Sequence, residues 1–176
     1  LIDRASFPRD KPCGGGFSLA LLDEFPFLGR RRSEFLTGIC RTGVIHSPDL
    51  RITLRGDVEM ATALRLDLDN VMFSSALDAG AEAAVPVRIK SVRTTDTGVT
   101  LLTSDGVERT ARVVIGADGV SSVVARSVGL NRRWPHGWVT ACRVAEVPIP
   151  EHVITDIYSD RLEYHFFANV GGSPGY

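Results

Sequence analysis

Val113-Val114-Ile115-Gly116-Ala117-Asp118-Gly119-Val120-Ser121-Ser122 is the stretch whose reading decides the fold. A strand buried on both faces of a parallel sheet reads as a continuous β-branched run, because neither face calls for alternate polar residues. The run stops at Gly-Ala-Asp-Gly, and ligands of open α/β sheets sit in the crevice beyond such strand ends. Asp118 is thereby set at the strand's carboxyl end, while Gly116 and Gly119 permit close backbone approach. Ser121 or Ser122 is the N-cap of a short helix running through Arg126 to Val128, with Gly129 as its C′ residue. The plain alternative is a tight strand-to-helix turn whose Asp faces solvent.

Upstream of this stretch, Val107, Arg109, Ala111 and Val113 alternate after a Ser104-Asp105-Gly106 turn, and Val85, Val87 and Ile89 alternate before it. The pattern predicts a meander of strands near 85–93, 99–103 and 107–112 that delivers the chain to Val113. Leu68, Val71, Met72, Ser75, Ala76 and Ala79 share one face of a helix that follows Asp67 and ends at Gly80. Residues 19–28 read as a helix broken at Pro26, and 39–44 and 50–54 as strands. Beyond Gly129, the aromatic-rich segments 138–147, 153–159 and 162–170 are separated by Pro148, Pro150 and Asp160 and read as three antiparallel strands.

The amino end reads Leu1-Ile2-Asp3-Arg4-Ala5-Ser6-Phe7-Pro8-Arg9-Asp10-Lys11-Pro12-Cys13-Gly14-Gly15-Gly16: an apolar stub ending in an acid, a basic loop, then three glycines. Together with Gly-Ala-Asp-Gly, this segment resembles the FAD-dependent oxidoreductases of the para-hydroxybenzoate hydroxylase superfamily, and within it the geranylgeranyl reductase family. Arg65-Leu66-Asp67-Leu68-Asp69 with Met72 is similar to that family's Arg-x-x-Phe-Asp-x-x-Leu helix start, Leu68 and Met72 standing for Phe and Leu. Gly171-Gly172-Ser173-Pro174-Gly175-Tyr176 looks like the start of its Gly-Tyr-Gly-Trp-x-Phe-Pro strand.

The fold class that follows is an α/β mixture: a partial FAD-binding nucleotide fold with a β-meander, plus part of an antiparallel substrate-domain sheet. The expected segments are 1–38 and 65–130 for FAD binding, 39–64 as an excursion into the substrate-side sheet, and 131–176 as a partial substrate domain. No Gly-x-Gly-x-x-Gly loop occurs, although such a loop precedes a ribose-binding acid by roughly 20 residues. The family's later Gly-Asp motif also has no counterpart, so the sequence reads as an internal fragment, open at both ends.

The resemblance implies FAD as cofactor, with NADPH, NADH or a ferredoxin as reductant. Asp3, beside Arg4, accepts hydrogen bonds from the adenosine ribose; a surface Asp at a strand end is the rival. Arg9 and Lys11 neutralise phosphate or hold their loop. Gly14, Gly15 and Gly16 let the backbone approach the flavin ring, and Cys13 lies beside that ring as the catalytic candidate. Gly116, Asp118 and Gly119 form the turn that binds the ribityl or pyrophosphate region. Arg65 lies near the cofactor, with a structural salt bridge as its rival.

The implied activity is reduction of carbon–carbon double bonds in a prenyl chain on a lipid or pigment precursor. Its rivals are a flavin monooxygenase or halogenase of the same fold, and a truncated, non-catalytic product.

Composition narrows the classes. Among 176 residues, 20 basic balance 21 acidic ones, so no polyanionic partner and no nucleic acid is expected. The Arg30-Arg31-Arg32 and Arg132-Arg133 runs read as solvated loop charges. With no signal segment and no long apolar run, the expectation is a cytoplasmic protein with peripheral membrane contact; the resemblance implies an isoprenoid substrate, and no obligate protein partner is expected. Cys13, Cys40 and Cys142 are odd in number and far apart. No spacing joins them to His46, His136, His152 or His165 as a zinc set, so neither disulfide nor metal is expected. Cys40 and Cys142 read as small buried hydrophobes.

Overall fold

A computed structural model describes residues 1–130, 133–135, 137–170 and 173–175, with side chains through 167. Arg132, His136 and the Gly171, Gly172 and Tyr176 positions of the glycine-rich motif lie outside the described residues. In chain order the elements are β1 (Gly16–Ser18), α1 (Leu21–Glu24), α2 (Pro26–Arg30), β2 (Leu36–His46), β3 (Thr53–Ala63) and α3 (Arg65–Asp78). They continue with β4 (Ile89–Thr95), β5 (Gly98–Thr103), β6 (Glu108–Ala111), α4 (Val123–Ser127), α5 (Glu151–Tyr158), β7 (Arg161–His165), β8 (Phe167–Val170) and β9 (Ser173–Gly175). This is a mixed α/β chain, with one mixed sheet and one antiparallel meander, as expected. It divides into two compact units: Leu1–Arg9 with Ala76–Arg143, and Asp10–Ser75 with Val144–Tyr176. No helix among the described residues is long and apolar enough to cross a membrane.

In the second unit Pro26 breaks the helical run after Leu19, and with no N–H to give it starts α2 at its first turn. Strands β2 and β3 form a long antiparallel hairpin, extending well beyond the short strands expected there. Ser47 closes its turn: Ile52 N–H donates to the Ser47 hydroxyl at 3.0 Å, and that hydroxyl donates to Asp49 at 2.7 Å. The sheet order is β1-β3-β2-β7, with β7 parallel to β2. Leu22, Leu28, Phe35, Ala63 and Val71 form the core, and Phe17, Leu36 and Leu68 pack against it. The face of α3 is narrower than its sequence pattern: Val71 is buried but Met72 is 48% exposed.

In the first unit the apolar stub runs parallel to residues 84–87. Ala84 N–H donates to Leu1 O at 2.9 Å, and Val87 N–H donates to Asp3 O at 2.8 Å. The meander follows in the order β4-β5-β6 as expected, but its first strand begins only at Ile89, so Val85 and Val87 lie before it in a turn and an irregular stretch. Helix α3 ends as predicted at Gly80 (φ +92°), where Gly80 N–H reaches Leu77 O and Ala81 N–H reaches Ala76 O.

Three expectations are corrected. Residues 113–115 are not a buried strand: Val113 is 74% and Ile115 89% exposed, because no strand among the described residues lies beside them to complete a ladder. Residues 153–158 belong to helix α5, with Ser159 as its C-cap; Pro150 is the N-cap, Glu151 complements the helix dipole, and Val153 and Ile157 recur at helical spacing. Residues 138–147 are exposed and irregular, leaving Cys142 exposed as well, so only the 162–170 segment is strand, and its first part pairs parallel to β2.

Phe35 is 2% exposed at the centre of this core. Phe35→Ala is expected to lower the unfolding free energy by about 3–5 kcal/mol in urea titration, whereas Met72→Ala should change it by less than about 0.5 kcal/mol.

Candidate cofactor-binding site

The second unit holds the Cys13 loop. Gly15 is buried with φ +72°, and a Cβ there would lie 2.1 Å from Ala63 O. Ala63 N–H also donates to Gly15 O at 3.1 Å. Only glycine fits this contact, so Gly15 serves the end of β3. Its N–H points at Cys13 Sγ, 3.5 Å away. Gly16 enters β1 opposite Thr62, and Gly14 is exposed, with no atom within 4 Å of where a Cβ would stand.

Arg65 opens α3 beside Cys13. Its Nε and Nη2 donate to Asp69 at 2.7 and 2.9 Å, a bidentate pair with a carboxylate that is only 6% exposed. The structural salt bridge is thus present; Arg65 also borders Cys13, and its guanidinium is raised in basicity chiefly by Asp69. The Gly15 amide lowers the Cys13 thiol pKa below its ordinary value, burial opposes this, and Arg65 and the exposed Lys11 reinforce it.

The first unit holds the two acids. Asp3 accepts from Ala5 N–H at 2.9 Å and pairs with Arg9 at 3.7 Å, while Arg9 also lies over the Phe7 ring at 5.3 Å. Arg4 is exposed. Asp118 accepts from the Ser122 hydroxyl, from Val123 N–H at 2.6 Å and from Val124 N–H at 3.3 Å. Burial pushes its carboxyl pKa up, but the Ser122 hydroxyl and the two amides outweigh burial and hold it below the ordinary value. Ser122 is the N-cap, accepting from Ala125 N–H at 2.9 Å, and Gly129 closes the far end with Leu130 N–H on Ala125 O at 2.8 Å. Gly116 packs against Val124, whose Cβ would lie 2.7 Å from an added methyl, and Gly119 has φ +78° beside open space. The turn is therefore fitted first to its own helix.

Some partners escaped the sequence reading. Arg31 is no solvated loop charge: it donates to Glu34 at 2.7 and 2.8 Å, to Ser74 at 2.7 Å and to Ser75 at 3.1 Å, fastening α2 to α3. His46, Glu163 and His165 converge across β2 and β7, although no local spacing signals them.

No family model matches the chain. It is 31% identical over 145 residues to a menaquinone reductase of Mycobacterium tuberculosis, covering 76% of this chain and 34% of that protein. An uncharacterized protein of Methanosarcina barkeri is 25% identical over 142 residues, covering 78% of this chain and 35% of its own length. The chain thus spans about a third of the length of these relatives. Among solved structures, a geranylgeranyl bacteriochlorophyll reductase-like protein of Thermoplasma acidophilum superposes with TM-score 0.62 at 23% identity, over 73% of this chain and 34% of that one. The halogenase PltM in complex with phloroglucinol and FAD gives 0.57 at 21%, over 73% and 31%.

The thiol environments differ in sign. Burial, with Asp160 nearby, raises the Cys40 pKa, whereas the Cys13 pKa is lowered. A lowered pKa means more thiolate at a given pH, so Cys13 should alkylate ahead of Cys40 at neutral pH, and the increase of its rate with pH should begin at a lower pH than that of Cys40. Peptide mapping after iodoacetamide pulses checks this, and Arg65→Gln should move the Cys13 profile to higher pH.

Proposed function

We propose that this chain, a member of the FAD-dependent oxidoreductases by fold and by its reductase relatives, serves an enzyme that reduces carbon–carbon double bonds of a prenyl chain. The observation that carries this reading is the Cys13 loop: a thiol held between the Gly15 amide and the Arg65 guanidinium, next to a glycine with open space beside it. The reductase names of two relatives support reduction over oxygenation. When bound, FAD supplies the redox chemistry, and the protein's task is to hold it, orient it and exclude water.

The residues present fit such a group. Gly14 leaves room for a flat ring, and Cys13, Arg65 and Lys11 give that surface a polar, cationic border. An ionised carboxylate offers roughly four acceptor sites. Asp118 is engaged by Ser122, Val123, Val124 and its own amide, so a cofactor hydroxyl would share an oxygen with these local donors. Asp3 accepts one amide and one cation and keeps acceptor capacity for a ribose. The fold likeness to PltM supports the second reading, a halogenase or monooxygenase.

Anaerobically reduced protein carrying this sequence, given a geranylgeranyl substrate, should yield a product heavier by hydrogens with no oxygen incorporated. Cys13→Ser should keep folding and FAD content while slowing or truncating reduction. Oxygen-dependent hydroxylation or halogenation indifferent to Cys13 would promote the second reading.

Asp118→Ala should weaken FAD about ten- to a hundredfold, the worth of roughly 1.5–3 kcal/mol for a charged hydrogen bond. Ser122→Ala should cost about 1 kcal/mol of stability by removing the helix cap, and should weaken FAD less than Asp118→Ala does, because the Val123 and Val124 amides still hold the Asp118 carboxylate. Equilibrium dialysis and thermal unfolding separate the two roles; equal FAD affinity in Asp118→Ala would leave that residue a turn acid alone.

A further inference from the structure

We propose that His46 Nε2, Glu163 Oε2 and His165 Nε2 form a binding site for a divalent transition metal of the Zn²⁺ class. Parallel pairing of β2 with β7 sets His46 directly opposite His165. Glu163, two residues before His165 on the same strand, shares its face. Glu163 Oε2 lies 3.5 Å from His46 Nε2 and 3.3 Å from His165 Nε2, and all three ligand atoms lie within 4.8 Å of one another. A tetrahedral centre with bonds of about 2.0–2.2 Å places its ligand atoms about 3.3–3.6 Å apart. Two separations already match; the His46 and His165 rings are stacked with centroids 4.2 Å apart, so the partly exposed His165 ring must turn out of that stack to aim its Nε2 at the same ion.

Three further features suit a metal. The donors are two imidazoles and a carboxylate, a set that Zn²⁺ favours. Thr53 Oγ1 lies 3.2 Å from His46 Nδ1, the kind of outer contact that fixes a ring and leaves Nε2 for the ion. That Nε2 is buried and makes no hydrogen bond among the described residues. Arg161 sits 3.1 Å from Glu163 Oε1, which leaves Oε2 facing the histidines and balances the carboxylate's charge. His165 is 40% exposed, so the ion can enter from solvent and keep a water as fourth ligand. Bound there, the metal ties β7 to the hairpin.

Titration of the full chain with Co²⁺ tests the site. One ion per chain should bind with the visible absorption of a four-coordinate centre and be displaced by Zn²⁺, and Zn²⁺ should raise the melting temperature. His165→Ala should abolish all three effects, Thr53→Val should weaken Co²⁺ about tenfold, and His152→Ala, at an exposed position elsewhere, should change nothing. If His165→Ala fails to fold, Glu163→Gln, which keeps the shape, must by itself remove the four-coordinate spectrum. Absence of Co²⁺ binding, or binding unchanged in Glu163→Gln, would overturn the proposal.

Discussion

The bidentate pair between Arg65 and Asp69 is the constraint on which the second unit depends. Asp69 is 6% exposed, and a carboxylate so buried needs partners, two of which are the Arg65 guanidinium N–H groups. Arg65 in turn stands where β3 gives way to α3, so the pair fixes the first turn of the helix to the end of the hairpin. The same guanidinium borders Cys13, and the loop bearing Cys13 is pressed onto Ala63 by Gly15. Helix start, strand end and thiol are thus held by one charge pair and one glycine contact. A substitution at Asp69 therefore disturbs the core and the thiol's surroundings together.

What the sequence made legible is what short-range chemistry controls. The Ser122 cap, the ends of α3 at Gly80 and of α4 at Gly129, the break at Pro26 and the meander around Ser104-Asp105-Gly106 each depend on a few adjacent residues. Asp105, held well below the usual carboxylate range by Arg109 and Thr103, shows how self-contained such a turn is. The errors lie where a residue's state is decided by distant chain. A Val-Val-Ile run becomes a strand only if a neighbour supplies hydrogen bonds, and among the described residues none does. The β-branched residues of α5 favour strand locally, yet Pro150 and the 3.6-residue spacing of Val153 and Ile157 fit a helix.

The candidate site was legible to a similar degree. Cys13, Asp3 and Asp118 stand at the loop, strand end and turn that the motifs indicate, but their immediate partners were hidden. Asp118 is engaged by Ser122, Val123 and Val124, so one carboxylate answers to local capping as well as to any ligand. For Arg65 the structural salt bridge is present, and the same guanidinium also reaches Cys13, as its five donors allow. Nothing in the sequence near His46 announces His165, because the two meet only through the parallel pairing of β2 and β7.

That pairing also carries a cost in time. His46 emerges 119 residues before His165 (165 − 46), so β2 must wait for about two thirds of this chain's length before β7 covers its outer edge. At roughly 5–20 residues per second of synthesis, that edge stays open for about 6–24 seconds. An uncovered strand edge, here the Thr42–His46 stretch that β7 pairs, is a template for foreign pairing. The polar and glycine residues of β2, Thr37, Gly38, Arg41, Thr42 and Gly43, keep its apolar content low through that interval, and nascent chains in which they were replaced by β-branched apolar residues would be the ones that chaperones must retain.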